Sequence, residues 1–225
     1  MIQILLAAAF FVGVHLLVAG TGLRARLVAR LGERAYLGLF SLFAAVGIVW
    51  LCAAFAAALP AEPHWNGAVY RGAALIAMFF SFELVAIGLT TPSPTAAGGE
   101  AALDAAEPAR GILRVTRHPF LWGVALWGFC HLLVNPDAPS LLFFGSLLLL
   151  AVAGPLSIDA KRRRKHGPRW DRFAAVTSNV PFAAIAAGRN RFALGELGWW
   201  RIALGAGLYA GMLALHPMLF GASPL

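Results

Sequence analysis

Apolar residues gather along the chain into six runs, near residues 2–20, 35–59, 67–90, 119–135, 138–157 and 198–219, and the segments between them hold nearly all of the charge. Each run approaches or exceeds the about 20 residues a helix needs to cross hydrocarbon, the fourth being the shortest. None has the period-2 alternation of a barrel strand, and a span in lipid must satisfy its own backbone, so the pattern predicts helices. The predicted fold is all-α: a polytopic membrane helix bundle of about six transmembrane helices with an interfacial or re-entrant segment, forming one membrane domain over residues 1–225.

Two further segments do not read as spans. Residues 91–109, TPSPTAAGGEAALDAAEPA, are rich in Pro, Gly and Ala and predict a flexible linker. Residues 173–187 are moderately apolar but carry Thr177, Ser178, Asn179 and Pro181 behind the basic run KRRRKHGPRW, which predicts a piece lying at the interface or folding back into the membrane.

Composition sharpens this picture. Of 225 residues, 60% are hydrophobic and 12% charged, about half the charge of an ordinary soluble domain. A water-soluble globular fold is excluded. Eighteen Lys and Arg against ten Asp and Glu give a formal charge of +8, and their placement explains the excess. With the amino terminus outside, loops 21–34, 91–118 and 158–197 with their flanks are cytoplasmic and hold 17 of the 18 basic residues, leaving Arg71 on the other side. The positive-inside rule therefore accounts for the charge without nucleic acid. The expected location is a bacterial inner membrane, with basic loops cytoplasmic and both termini outside. The first 20 residues lack a basic segment ahead of the apolar stretch and read as a retained span. Cys52 and Cys130 lie inside apolar runs and read as small core residues. His64, in a predicted loop, reads as solvated.

An ionisable side chain at membrane depth costs roughly 2.5–3.5 kcal/mol on insertion scales, so each one is a candidate for function. Three stand out: His15 in the first run, Glu83 in the third and His131 in the fourth. Two imidazoles from different helices have the chemistry to clamp a haem iron, with interhelical hydrogen bonding as the plainer alternative. Gly128 shares a helical face with His131 and either leaves room for a flat macrocycle or lets a helix pack closely. His118, in RVTRHPF, is a competing ligand. It lies 13 residues from His131, about 140° around a helix, so the two do not face one site. The plainer reading of Arg117, His118 and Pro119 is a helix start at headgroup depth. Glu83 is open to three roles: orienting a ligating imidazole, moving protons, or a structural ion pair with an arginine or a protonated state.

The segments GVHLLVAG, LRARLVARLGERAYLGLFSL, RVTRHPFLWGVALWGFCHLLVN, TSNVPFAAIAAGR and LHPMLFGASPL, in that order, resemble the NnrU family over nearly the whole chain. The resemblance implies an association with bacterial denitrification and nitric oxide metabolism. It also brings in a plant relative, the zeta-carotene isomerase, a haem b protein that converts a central cis double bond. Carried over, it implies haem ligation by His15 and His131 and not by His118. Arg114 and Arg117 are then candidates to pair with haem propionates. Where the isomerase has a cysteine three residues before the fourth-helix histidine, this chain has Gly128, a departure that counts against that activity. A remoter similarity joins RHP, HGPRW and VPF to membrane methyltransferases. Those enzymes carry paired glutamates where this chain reads SIDAKRRRKHG with Asp159 as its one acid, so methyl transfer is disfavoured.

Three classes of function follow from the sequence. They are a haem-binding accessory or sensor that meets nitric oxide, an isomerase acting on a hydrophobic polyene, and a structural membrane protein without cofactor. Membrane lipids are the expected surroundings of all three.

Overall fold

The computed structural model describes residues 1–58, 62 and 66–225, and among these all regular structure is helical. The last position of the second predicted run and His64 lie outside the described residues. Helix α1, Ile2–Gly13, continues through a π-helical turn, Val14–Val18, and a 79° bend separates it from α2, Leu23–Leu31. Gly32, at φ 81°, ends α2 and starts α3, Glu33–Ala56. A 3-10 turn, Gly67–Tyr70, leads into α4, Arg71–Thr90. Short α5, Ile112–Val115, precedes α6, Pro119–Val134, and α7, Ala138–His166. Amphipathic α8, Pro168–Val176, short α9, Ala183–Ala186, and α10, Trp199–Phe220, complete the order.

The six apolar runs thus stand as helices. Four helical stretches, α3, Gly67–Thr90, α7 and α10, are long and apolar enough to cross a membrane, and the bent α1–α2 pair makes a fifth if it is one span. Helix α6, with 16 residues, is shorter. Three boundaries differ from the sequence reading. Residues 23–31 are a helix rather than loop, because Leu23, Leu27, Val28 and Leu31 give the basic segment an apolar stripe. Helix α7 runs past residue 157 to His166, since Lys and Arg continue a helix readily once it leaves lipid. The 91–109 segment is not a plain linker. It holds a 3-10 turn, Glu100–Asp104, with Leu103 and Ala109 in a core, and its Glu100 and Asp104 pair with Arg162 and Arg169.

The chain divides into two compact units, residues 1–70 with 128–150 and residues 71–127 with 151–225. In the first, Ile4, Ala7, Ala8 and Phe11 repeat at helical spacing along one face of α1 and pack with Leu51 and Ala54 of α3. Gly47 permits that approach: a Cβ there would lie 3.1–3.2 Å from the rings of Phe10 and Phe11. Lipid removes the hydrophobic drive between helices, so small residues and tight contact hold such pairs together. In the second unit, Trp170 and Phe173 of α8 enter a core with Leu103, Ile112, Leu113, Val115 and Leu197. Burying this face of α8 accounts for the apolar half of its amphipathic pattern.

Candidate functional site

In the first unit, His15 sits on the π-helical turn, a geometry that is rare and frequently found at functional sites. Its Nδ1 lies 2.8 Å from the carbonyl oxygen of Phe11. A carbonyl only accepts, so Nδ1 carries a proton, and in the neutral ring Nε2 is the nitrogen with the lone pair. The ring is fixed on both sides by Phe11 and Phe40, at centroid distances of 4.6 and 5.3 Å. His131, on α6, stacks on Phe144 of α7 at 4.5 Å with 22° between planes. Both imidazoles are half-buried and both belong to this unit, each held by its own aromatic partners. Gly128 resolves toward close packing. A Cβ there would lie 3.1 Å from the Phe144 carbonyl oxygen and 3.3 Å from Leu148 Cβ, so protein fills the space beside it.

The second unit holds a polar network that the sequence reading only partly located. Gly111 starts it, at φ 57°, and a Cβ there would lie 2.9 Å from the backbone oxygen of Glu196. Its N–H donates to Glu196 Oε2 at 2.9 Å. Arg114, buried on α5, donates from Nε and Nη2 to both oxygens of Glu196 at 2.8 and 2.9 Å, from Nη2 to Glu107 at 2.5 Å, and from Nη1 to Asn190 at 2.8 Å. Those bonds raise the pKa of Arg114, and with the Gly111 N–H they hold the Glu196 carboxyl down at about 2 against the opposing effect of burial.

Three residues on, Arg117 donates to Asp159 Oδ2 from Nη2 at 2.6 Å and from Nε at 2.9 Å. His118, buried, places Nε2 2.7 Å from Asp159 Oδ1. Thr116 Oγ1 and Trp122 Nε1 donate to the Asn179 carbonyl at 2.6 and 2.8 Å, while Arg117 N–H donates to Ser178 O and Phe182 N–H to Val115 O. The motifs RVTRHP and TSNVPF are therefore two sides of one hydrogen-bonded seam, to which Asp159 is bolted from α7. The guanidinium groups offered to haem propionates are occupied by Glu196, Glu107 and Asp159. His118 serves the seam rather than the π-turn unit. Asp159 and Glu196 were missed as partners. The one usable signal was that Asp159 is the single acid ahead of a basic run.

Glu83 also lies in the second unit, on α4. Both carboxyl oxygens are buried with no hydrogen-bond partner, and a Cβ on Gly205 of α10 would lie 2.7–2.9 Å from the carboxyl group. Of the roles left open for Glu83, an ion pair with an arginine is not seen among the described residues. Arg201, one turn from Gly205, instead donates to the carbonyls of Thr90 and Leu197 at 3.3 and 3.4 Å and lies over the Trp200 ring. Among the described residues, no cluster of three or more His, Cys, Asp or Glu is arranged to hold a metal ion.

The NnrU family model, described as NnrU protein, matches residues 3–224. The 15-cis-zeta-carotene isomerase, chloroplastic, of Zea mays is 30% identical over 81 residues, covering 36% of this chain and 22% of that protein. No solved structure matches.

Proposed function

The chain belongs to the NnrU family, and from that premise we propose that it is a membrane haem b protein with an accessory or sensing role in nitric oxide and denitrification metabolism. The observation that carries the reading is the hydrogen bond from His15 Nδ1 to the Phe11 carbonyl, which leaves Nε2 as the basic nitrogen of a fixed ring. Metal-ligating histidines are oriented in this way, by donating their other ring N–H to a carbonyl or carboxylate. His131, from a second helix of the same unit, is the second nitrogen donor, so the pair would supply two imidazoles to a haem iron. When bound, haem would supply an iron centre able to take up nitric oxide or exchange an electron. His15 and His131 would hold it, with Phe11, Phe40 and Phe144 packed against the imidazole rings. Arg114 and Arg117, offered to haem propionates by the resemblance, are paired with Glu107, Glu196 and Asp159. The proposed topology places the basic loops in the cytoplasm of a bacterial cell and both termini outside.

A second reading, a haem-dependent cis–trans isomerase of a polyene-like lipid substrate, is favoured by the similarity to the maize isomerase. The absorption spectrum of protein purified from haem-replete cells tests the common premise. A Soret band in the wild type, lost in both His15→Ala and His131→Ala, supports ligation by this pair. No band in the wild type, or a band kept in both variants, overturns it. Carotenoid profiles of cells making a cis precursor then separate the two readings: a changed isomer ratio selects the isomerase, and an unchanged ratio selects the accessory role.

A further inference from the structure

We propose that Glu83 is an intramembrane proton-binding site, a neutral carboxylic acid seated against the backbone of α10 and open to reagents that arrive through lipid. Three observations carry this. The first is the absence of any donor for either carboxyl oxygen although both are buried. An ionised carboxylate in such a place would forfeit its hydration with nothing in exchange, a cost that groups in low dielectric escape by binding a proton.

The second is the seat itself. Gly205 is buried, and its missing side chain is the space that the Glu83 carboxyl fills. Helices α4 and α10 run antiparallel here. Phe79, one turn before Glu83, meets Tyr209, one turn after Gly205, at 5.8 Å, and the Tyr209 hydroxyl donates to the Leu75 carbonyl at 2.8 Å. The register therefore places a glycine opposite the acid.

The third is what surrounds it. On α10 the ionisable neighbours are Arg201, whose Nη1 and Nη2 donate to the Leu197 and Thr90 carbonyls at 3.4 and 3.3 Å while its buried Nε has no partner, and Tyr209, whose hydroxyl donates to Leu75. On α4 the other charged residue is Arg71, three turns away. The stretch of α6 that packs on α4 at Ser81, Val85 and Gly88, PFLWGVALW, carries no charge. Arg114 of α5 is held by Glu196, Glu107 and Asn190. Among the described residues, no cationic side chain makes an ion pair or hydrogen bond with Glu83. An apolar recess of about 350 Å³, lined by Leu75, Ile76, Phe79, Phe80 and Tyr209, lies one turn along α4 from the acid.

The test uses two carbodiimides on the full-length protein in lipid nanodiscs at neutral pH. Carbodiimide reacts with the protonated acid: a carboxyl oxygen bonds to the central carbon and the acid proton moves to a carbodiimide nitrogen. Only about one in 500 ordinary glutamates holds a proton at pH 7, so reaction at Glu83 should exceed that at exposed Glu33 by up to that factor. The expected result is an adduct mapped to Glu83 with dicyclohexylcarbodiimide, none there with a water-soluble carbodiimide, and loss of the adduct in Glu83→Gln. An adduct formed solely by the water-soluble reagent overturns the proposal. Where neither reagent marks Glu83, the infrared difference between wild type and Glu83→Gln decides. A protonated carbonyl band upholds the site, whereas carboxylate bands, as from an acid that has swung to Arg201, overturn it. Glu83→Gln keeps the shape of the neutral acid, so the variant should retain the thermal midpoint of the wild type.

Discussion

Asp159 Oδ1 lies 2.7 Å from His118 Nε2, and the other oxygen of the same carboxylate takes the Arg117 guanidinium at 2.6 Å. One acid from α7 thus serves two cationic or potentially cationic neighbours at the start of α6. All three side chains are less than a fifth exposed. Removing the acid strands Arg117 in a place where a lone charge costs several kcal/mol. Asp159→Asn should therefore lower stability by about 3 kcal/mol, read as a fall in the thermal midpoint in detergent. A midpoint equal to the wild type would show that Arg117 finds another partner.

The same geometry separates His118 from the proposed haem ligands. With Nε2 directed at Asp159, His118 is a structural member of the seam, and its truncation unties the carboxylate. His118→Ala should lose about 1–3 kcal/mol of stability and keep any Soret band the wild type shows. The absorption spectrum and the melting curve of one purified variant check both halves. Loss of the band in stable protein would transfer ligation to His118.

Acid should attack the second unit at two defined carboxyls. Glu196 is held at about 2 by Arg114 and the Gly111 N–H, and Glu100 at about 2 by its own backbone N–H and then by Arg162 and Lys165, in each case against burial. Both values lie below the 4.5 of an unperturbed glutamate. A depressed folded-state value means that stability is fully present above about pH 4.5 and is lost as pH falls toward about 2. Melting curves taken down through this window should show a progressive fall. In Glu196→Gln the neutral-pH midpoint should already be lower and the fall smaller. A wild-type curve that stays flat to pH 2 would mean that these bonds do not contribute.

How much of this was legible beforehand depended on whether a feature repeats locally. The six apolar runs did, because a helix in lipid writes its length into one unbroken stretch. Helix α2 was harder to see, since Arg24, Arg26 and Arg30 mask its short apolar stripe. His15, Glu83 and His131 stood out because a polar group in an apolar run is conspicuous. Their surroundings were not visible, since these come from other helices: Phe40 beside His15, Phe144 beside His131 and Gly205 beside Glu83. The seam was the least legible part. Arg114 and Glu196 are 82 positions apart and Arg117 and Asp159 are 42 apart, and no periodicity links residues at such separations. Arginines that looked available for a cofactor were thus already matched to acids elsewhere in the chain.

Close helix contact through glycine supplies the last test. A Cβ on Gly123 would lie 2.7 Å from Val85 Cγ2 and 3.0 Å from the Ser81 carbonyl oxygen, so α4 and α6 touch where α6 has no side chain. At the same place the buried Ser81 hydroxyl donates to the Gly123 carbonyl at 2.8 Å. One of the two clashing atoms is backbone, which a rotamer change cannot move, so Gly123→Ala has to push the helices apart. That should cost about 1–3 kcal/mol. Ser81→Ala alone should cost about 0.5–1 kcal/mol, the usual range for a hydrogen bond between membrane helices. Once Gly123→Ala has separated the helices, the serine bond is already stretched, and adding Ser81→Ala should cost less than it does alone. Melting midpoints of the two single variants and the double variant close this cycle. Strict additivity would show that the glycine contact and the serine bond stabilise the pair independently.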